Sequence, residues 1–200
     1  MTSQPPLAVL WDADGVLQHT PAGVWEPAVQ VVGRFPGALT GAPIDEQRIR
    51  AVTHELGLDH RVDDIVAVWS TFDLLEPTLQ VLAMVRAAGT PCYLATNQDA
   101  YRADCMRRNA RYGEVLDGAY YSCDIGAAKP SADFFAHIAD DLGLAPDRLL
   151  FLDDQPANVD GARAAGLAAE RWIHDDGVPR LRDILDVHRV PLSTDRGPRR

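Results

Sequence analysis

The stretch "LAVLWDADG" (residues 7–15) runs five apolar residues straight into a pair of acids. An apolar run without polar alternation predicts a strand buried on both faces, as in a parallel sheet covered by helices. "DADG" predicts a loop leaving its carboxyl end, since Asp and Gly form turns and are depleted in strands. Similar runs recur at "PCYLA" (91–95), "AYYS" (119–122), "LLFL" (149–152) and, more weakly patterned, "AAERW" (168–172).

Helical patterns fill the gaps between these runs. Leu75, Leu79 and Leu82 recur at helical spacing, with Gly89 as a stop. Asp99 is placed to cap a helix running to about Gly113. Ser131 is placed to cap another, in which Phe135, Ile138 and Leu142 share a face and Gly143 ends the run. A third spans Ala157 to Gly166, and a last one about 178–187. Strands alternating with helices from residue 77 onward predict an α/β fold, a doubly wound parallel sheet. Residues 18–76 break the rhythm. They offer no clear strand pair but three helices, around Trp25 to Val32, at 44–57 and at 61–75, with a Pro/Gly-rich patch at 35–43. The expected organisation is therefore a core of residues 1–17 and 77–187, a small α-helical insertion at 18–76, and a flexible tail at 188–200.

The bulk numbers narrow the function. Two hundred residues, 46% of them hydrophobic and 24% charged, suit one soluble domain with a modest insertion. A net charge of −10 argues against a nucleic-acid binder working through a basic surface. No apolar stretch is long enough to span a bilayer, and the N-terminus lacks a basic n-region. Cys92, Cys105 and Cys123 form no C-x-x-C pair and read as free thiols of a cytoplasmic protein.

In an open parallel sheet, ligands bind beyond the carboxyl ends of the strands. There the sequence delivers Asp12 and Asp14, then Thr96 and Asn97, then Lys129, then Asp153, Asp154 and Asn158. Lys129 is the single lysine of the chain against eighteen arginines. A position that keeps a compact ammonium where every other cation is a planar guanidinium suggests a tight polar space. Crowded aspartates require a cation, and an all-oxygen donor set suits Mg²⁺. Metal, ammonium and hydroxyl together make a receptacle for phosphate, and an ionised Asp beside it can attack phosphorus. Each of these residues alone would be an ordinary turn or loop residue; their joint placement carries the reading.

"DADGVL", "TNQ", "KP" and "FLDDQPANVDGARAAG" resemble, in order and spacing, the four motifs of the haloacid dehalogenase superfamily. The last segment is most similar to the branch holding the N-terminal phosphatase domain of soluble epoxide hydrolase and small bacterial sugar-phosphatases. The resemblance implies a Rossmann-like core, with 18–76 as its helical cap. It also implies Asp12 as nucleophile and metal ligand, and Asp14 as general acid/base and, through its carbonyl, a second ligand. Thr96, Lys129 and the Asn97 amide would bind the phosphoryl group. Asp153 would complete the Mg²⁺ site, and Asp154 would orient Lys129 or a metal-bound water. Asn158 is read as capping or orienting the following helix, and Gln98 and the loop before Lys129 are candidates to touch substrate.

Asp14 discriminates between reactions, because a halide leaves without a proton and an alkoxide does not. The expected activity is Mg²⁺-dependent hydrolysis of a small phosphorylated metabolite, a sugar phosphate by default, by a monomer or homodimer. A phosphomutase of the β-phosphoglucomutase type and a binding-only regulator are the alternatives. A response-regulator receiver fails on motif order. His19, Trp25, Arg34, Trp69 and Phe72 are the insertion residues that could face the cleft, although Trp69 and Phe72 are also spaced to pack in a helix core. His54 and His60 lack metal-ligand spacing.

Overall fold

The computed structural model describes residues 4–19 and 25–194, with the side chain of Trp25 left out. In chain order the elements are β1 (Ala8–Trp11), β2 (Gln18–His19), α1 (Trp25–Val32), α2 (Glu46–Glu55), α3 (Val62–Ala67) and β3 (Asp73–Leu74). There follow α4 (Glu76–Ala87), β4 (Cys92–Thr96), α5 (Ala100–Arg107), α6 (Ala110–Val115), β5 (Gly118–Tyr121) and α7 (Ser122–Ile125). The chain continues through α8 (Ala132–Leu142), β6 (Leu149–Asp153), α9 (Pro156–Ala164), β7 (Ala168–Arg171) and α10 (Gly177–Val187). Among the described residues, no helix is long and apolar enough to cross a membrane.

Five strands form one parallel sheet in the order β5-β4-β1-β6-β7. The central strand alternates its side chains between two cores, as the period of a strand requires. Val9 and Trp11 pack with α4, α6 and α10 residues such as Leu82, Tyr112 and Leu181, whereas Ala8 and Leu10 pack with Phe134, Phe135 and Val159 of α8 and α9. Each face is thus covered by helices, which explains why β1 reads as an unbroken apolar run. The register sets Trp11 opposite Leu94 and Leu152. Asp12 consequently emerges between the ends of β4 and β6.

The helices α1 to α3 share a separate core built on Val31, Ile49, Ile65 and Trp69. Asp45 caps α2 by accepting from the Arg48 amide, and Asp99 and Ser131 cap α5 and α8 as their positions suggest. Three elements depart from the sequence expectation. The helix expected over 61–75 stops at Ala67, and the chain turns into β3. That strand pairs antiparallel with β2, Gln18 opposite Leu74 and His19 opposite Asp73, so a strand pair does exist within 18–76. The helix expected to run to Gly113 breaks after Arg107, because the Asn109 side chain accepts from the Arg111 amide and starts α6. The tail also begins later than expected. Val190 is buried, and the Ser193 amide donates to the Met84 carbonyl at 3.0 Å; residues 195–200 lie outside the described residues.

Candidate active site

Lys129 is the hub of the strand-end rim. Its Nζ donates to Asp12 Oδ1 at 2.6 Å, to Asp153 Oδ2 at 2.6 Å and to the Ala95 carbonyl at 2.9 Å, which uses all three ammonium protons. Its side chain is 1% exposed, and the ammonium lies 5.1 Å from the centre of the Phe151 ring. The lysine sits on a loop, so its backbone needs a separate hold. The Lys129 amide donates to Asn97 Oδ1, and Asn97 Nδ2 donates to the Lys129 carbonyl, each at 2.9 Å. Asn97 thus fastens the peptide of the lysine through its side chain.

Asp153 is fully buried, and both its oxygens are occupied beyond Lys129. Oδ1 accepts from the Gln155 amide at 2.8 Å, and Asn158 Nδ2 lies 3.1 Å from each oxygen. Asn158, expected to orient its helix, grips the Asp153 carboxylate directly from the first turn of α9.

One ammonium between two buried carboxylates cannot fully offset both. Burial pushes Asp12 up to about 7; the attraction of Lys129 opposes the shift and the charge of Asp153 adds to it. Burial alone would lower the Lys129 pKa, but the two carboxylates hold it above its ordinary value. Asp154 is also raised, by its own burial and then by Asp153. Asp12, Asp153 and Asp154 can bring one oxygen each within 4.8 Å of one another. This all-oxygen donor set, short of positive charge, fits a hard divalent cation such as Mg²⁺. The Gly15 turn packs closely against Asp154. Gly15 has φ +84°, and a Cβ there would stand 3.0 Å from the Asp154 carboxyl group.

The Asp14 side chain belongs to a different network. Its Oδ1 accepts from Gln18 Nε2 and from Arg102 Nη2, each at 2.9 Å, and its Oδ2 accepts from Gln98 Nε2 at 2.8 Å. Gln98 Nε2 also reaches Thr96 Oγ1 at 3.1 Å, and Tyr112 donates to Gln18 Oε1 at 2.6 Å, which turns the Gln18 amide nitrogen toward Asp14. Gln18, Arg102 and Tyr112 were not singled out in the sequence. Their roles rest on burial and packing that appear only in the fold, where all three are buried.

A cleft of about 460 Å³ opens above this floor. Asp12, Asp14, Thr96, Asn97, Lys129 and Asp154 all line it, so the expected residues converge, with His19 at the edge. Of the other insertion residues, Trp69 is buried among the helices and donates to Asp99 Oδ2 at 2.8 Å. Phe72 packs on the core beneath the Arg102 guanidinium, Arg34 is exposed outside the cleft lining, and the Trp25 side chain lies outside the described residues.

Enolase-phosphatase E1 of Bradyrhizobium sp. is 28% identical over 123 residues, covering 60% of this chain and 53% of that protein. Tyrosine-protein kinase PtkA of Mycobacterium tuberculosis is 28% identical over 187 residues, covering 82% and 61% respectively. The chain therefore spans between about half and three-fifths of these relatives' lengths. A solved HAD family enzyme of Bacteroides thetaiotaomicron, in complex with magnesium and inorganic phosphate, superposes with a TM-score of 0.70 at 20% identity, covering 88% of this chain and 98% of that one. A family model matches residues 7–166, most of the chain and every motif named above, and the chain belongs to the haloacid dehalogenase-like hydrolases.

Proposed function

We propose that the protein is a Mg²⁺-dependent phosphomonoesterase in which Asp12 is the nucleophile and residues 18–76 form a cap over the cleft. The observation that carries this reading is the Lys129 ammonium wedged between Asp12 and Asp153 at the floor of the cleft. It fixes a buried carboxylate at the cleft floor, where a phosphoryl group would bind, and leaves the acid cluster short of positive charge. The phosphatase name of one relative, and the phosphate held by the Bacteroides enzyme, support the same reaction class.

Asp12, Asp153 and the carbonyl of Asp14 would hold the ion, with Asp154 beside it. Bound Mg²⁺ supplies positive charge against the phosphoryl oxygens and the carboxylates. Thr96, the Asn97 amide and Lys129 bind the phosphoryl group. The Asp12 carboxylate attacks phosphorus, the P–O bond to the alcohol breaks, and the Asp14 carboxyl passes its proton to the departing oxygen. Asp14, now ionised, takes a proton from water as that water attacks the aspartyl-phosphate. Phosphate leaves, and Asp12 is regenerated.

A cleft of about 460 Å³ has room for a phosphoryl group and an alcohol of sugar size, so a small sugar phosphate is the proposed substrate. Three free cysteines fit a reducing, cytoplasmic setting. The test is phosphate release from a panel of sugar, nucleotide, amino-acid and aryl phosphates, with Mg²⁺, with chelator, and with Asp12→Asn. Metal-dependent release that vanishes in the variant is expected. Isomerised product without release would mean a mutase, and release undiminished by Asp12→Asn would overturn the reading.

A further inference from the structure

Arg102 is a buried cation on α5, and among the described residues its guanidinium meets Asp14, Val68 and Phe72. Its Nη2 holds Asp14 Oδ1 at 2.9 Å, its Nη1 donates to the Val68 carbonyl just past α3, and its guanidinium carbon lies 5.4 Å from the centre of the Phe72 ring. The anchoring helix is itself tied to the same segment. Asp99 accepts the Arg102 amide at 3.0 Å through Oδ1 and the Trp69 indole at 2.8 Å through Oδ2. One guanidinium therefore spans residues 68–72, where the chain leaves the helical segment, and the carboxylate that faces the leaving group in the proposed reaction.

We propose that Arg102 is the positioning residue for Asp14: it fixes where that carboxylate stands for proton transfer and makes its place depend on how residues 68–72 are seated. The inference rests on the phosphatase reading. Gln18 and Gln98 also hold Asp14, but both are neutral amides. The guanidinium holds its Nη1 and Nη2 donors in one rigid plane, so seating one on the Val68 carbonyl fixes where the other meets Asp14; a lysine ammonium is a point charge on a flexible stem without that fork. Displacement of a catalytic group by about 1 Å costs up to about 100-fold in rate.

The experiment compares kcat/KM for two substrates, since this ratio reports the first phosphoryl transfer. 4-Nitrophenyl phosphate releases an acidic phenol that leaves unaided; the best sugar phosphate of the panel releases an alcohol that must be protonated. In Arg102→Met, kcat/KM for the sugar phosphate should fall by about 10- to 100-fold, and that for the aryl ester by less than about 3-fold. Arg102→Lys keeps the charge without the fork and should show the same selective loss; it also serves if the Met variant does not fold. In an Asp14→Asn background, either change should leave the ratio of the two substrates where Asp14→Asn alone puts it. Equal losses on both substrates, or no loss in a folded Lys variant, would overturn the assignment. If the wild type releases no phosphate that Asp12→Asn abolishes, the parent reading fails, and this inference fails with it.

Discussion

The Nζ of Lys129 stands 2.6 Å from Oδ1 of Asp12, and the same nitrogen stands 2.6 Å from Oδ2 of Asp153. Two acids that share one buried cation bind the end of β1 to the end of β6 through a side chain from a loop. Stability and chemistry are therefore coupled at this point, and the coupling is measurable.

Lys129→Met should leave two buried carboxylates facing each other without a counter-charge. Removing one partner from a buried ionic cluster costs about 3–5 kcal/mol. Denaturant melts at pH 8 without metal should show a loss of that order, and added Mg²⁺ should recover part of it. Lys129→Arg should also lose activity, because the ammonium is buried with its three protons committed to Asp12, Asp153 and the Ala95 carbonyl, and a bulkier planar fork would have to displace them.

The raised pKa of Asp12 sets the sign of a pH effect. Its ordinary value is 3.8 and its folded value about 7, so between these limits the folded protein keeps a proton that the unfolded chain has lost. Stability from this group is complete below about pH 4 and is lost as pH rises to about 7. Metal-free wild type should therefore lose stability across that window relative to Asp12→Asn, by a few kcal/mol, in melts at pH 5 and pH 8. The same proton must leave when a cation binds, so Mg²⁺ affinity should strengthen up to about pH 7 and then level off. Parallel pH slopes for the two proteins would remove burial as the cause.

Gly161 on α9 permits an unusually close approach. A Cβ at this position would sit 2.3 Å from the Pro130 carbonyl oxygen, next to Lys129. Gly161→Ala should cost about 1–3 kcal/mol through overpacking. It should also lower phosphate release more than a surface change of equal stability cost, because the strain falls on the loop carrying the ammonium.

Trp69→Phe should remove one buried hydrogen bond, from the indole to Asp99, while leaving most of the ring packing. The expected loss is about 1–2 kcal/mol, since a charged acceptor is left short of a donor. If thermal stability is unchanged, that bond does not secure the helical segment to α5.

Much of this architecture was legible in the sequence. The apolar runs at 8–11, 92–95 and 149–152 predicted their strands because burial on both faces leaves no polar position in them. Asp99 and Ser131 marked helix starts because capping is a local interaction. The β2–β3 pair was not legible. Each strand has two residues, three of the four are polar, and the pairing joins positions more than fifty residues apart. At the site, Asp12, Thr96, Lys129 and Asp153 fell together as the strand ends required. The hold on Asp14 by Gln98 and Arg102 depends on how α5 packs against the β1 loop, which neither spacing nor composition reveals.

The two-residue ladder of β2 and β3 also bears on how such a chain can change over time. Because His19 pairs with Asp73, the helical segment departs and returns at adjacent points, like a side road that rejoins where it left. Residues added or removed between them alter no spacing within the five-stranded sheet, and a longer excursion adds only slowly to the entropy of closure. The helical segment can therefore be exchanged while the sheet that carries the strand-end residues stays in register.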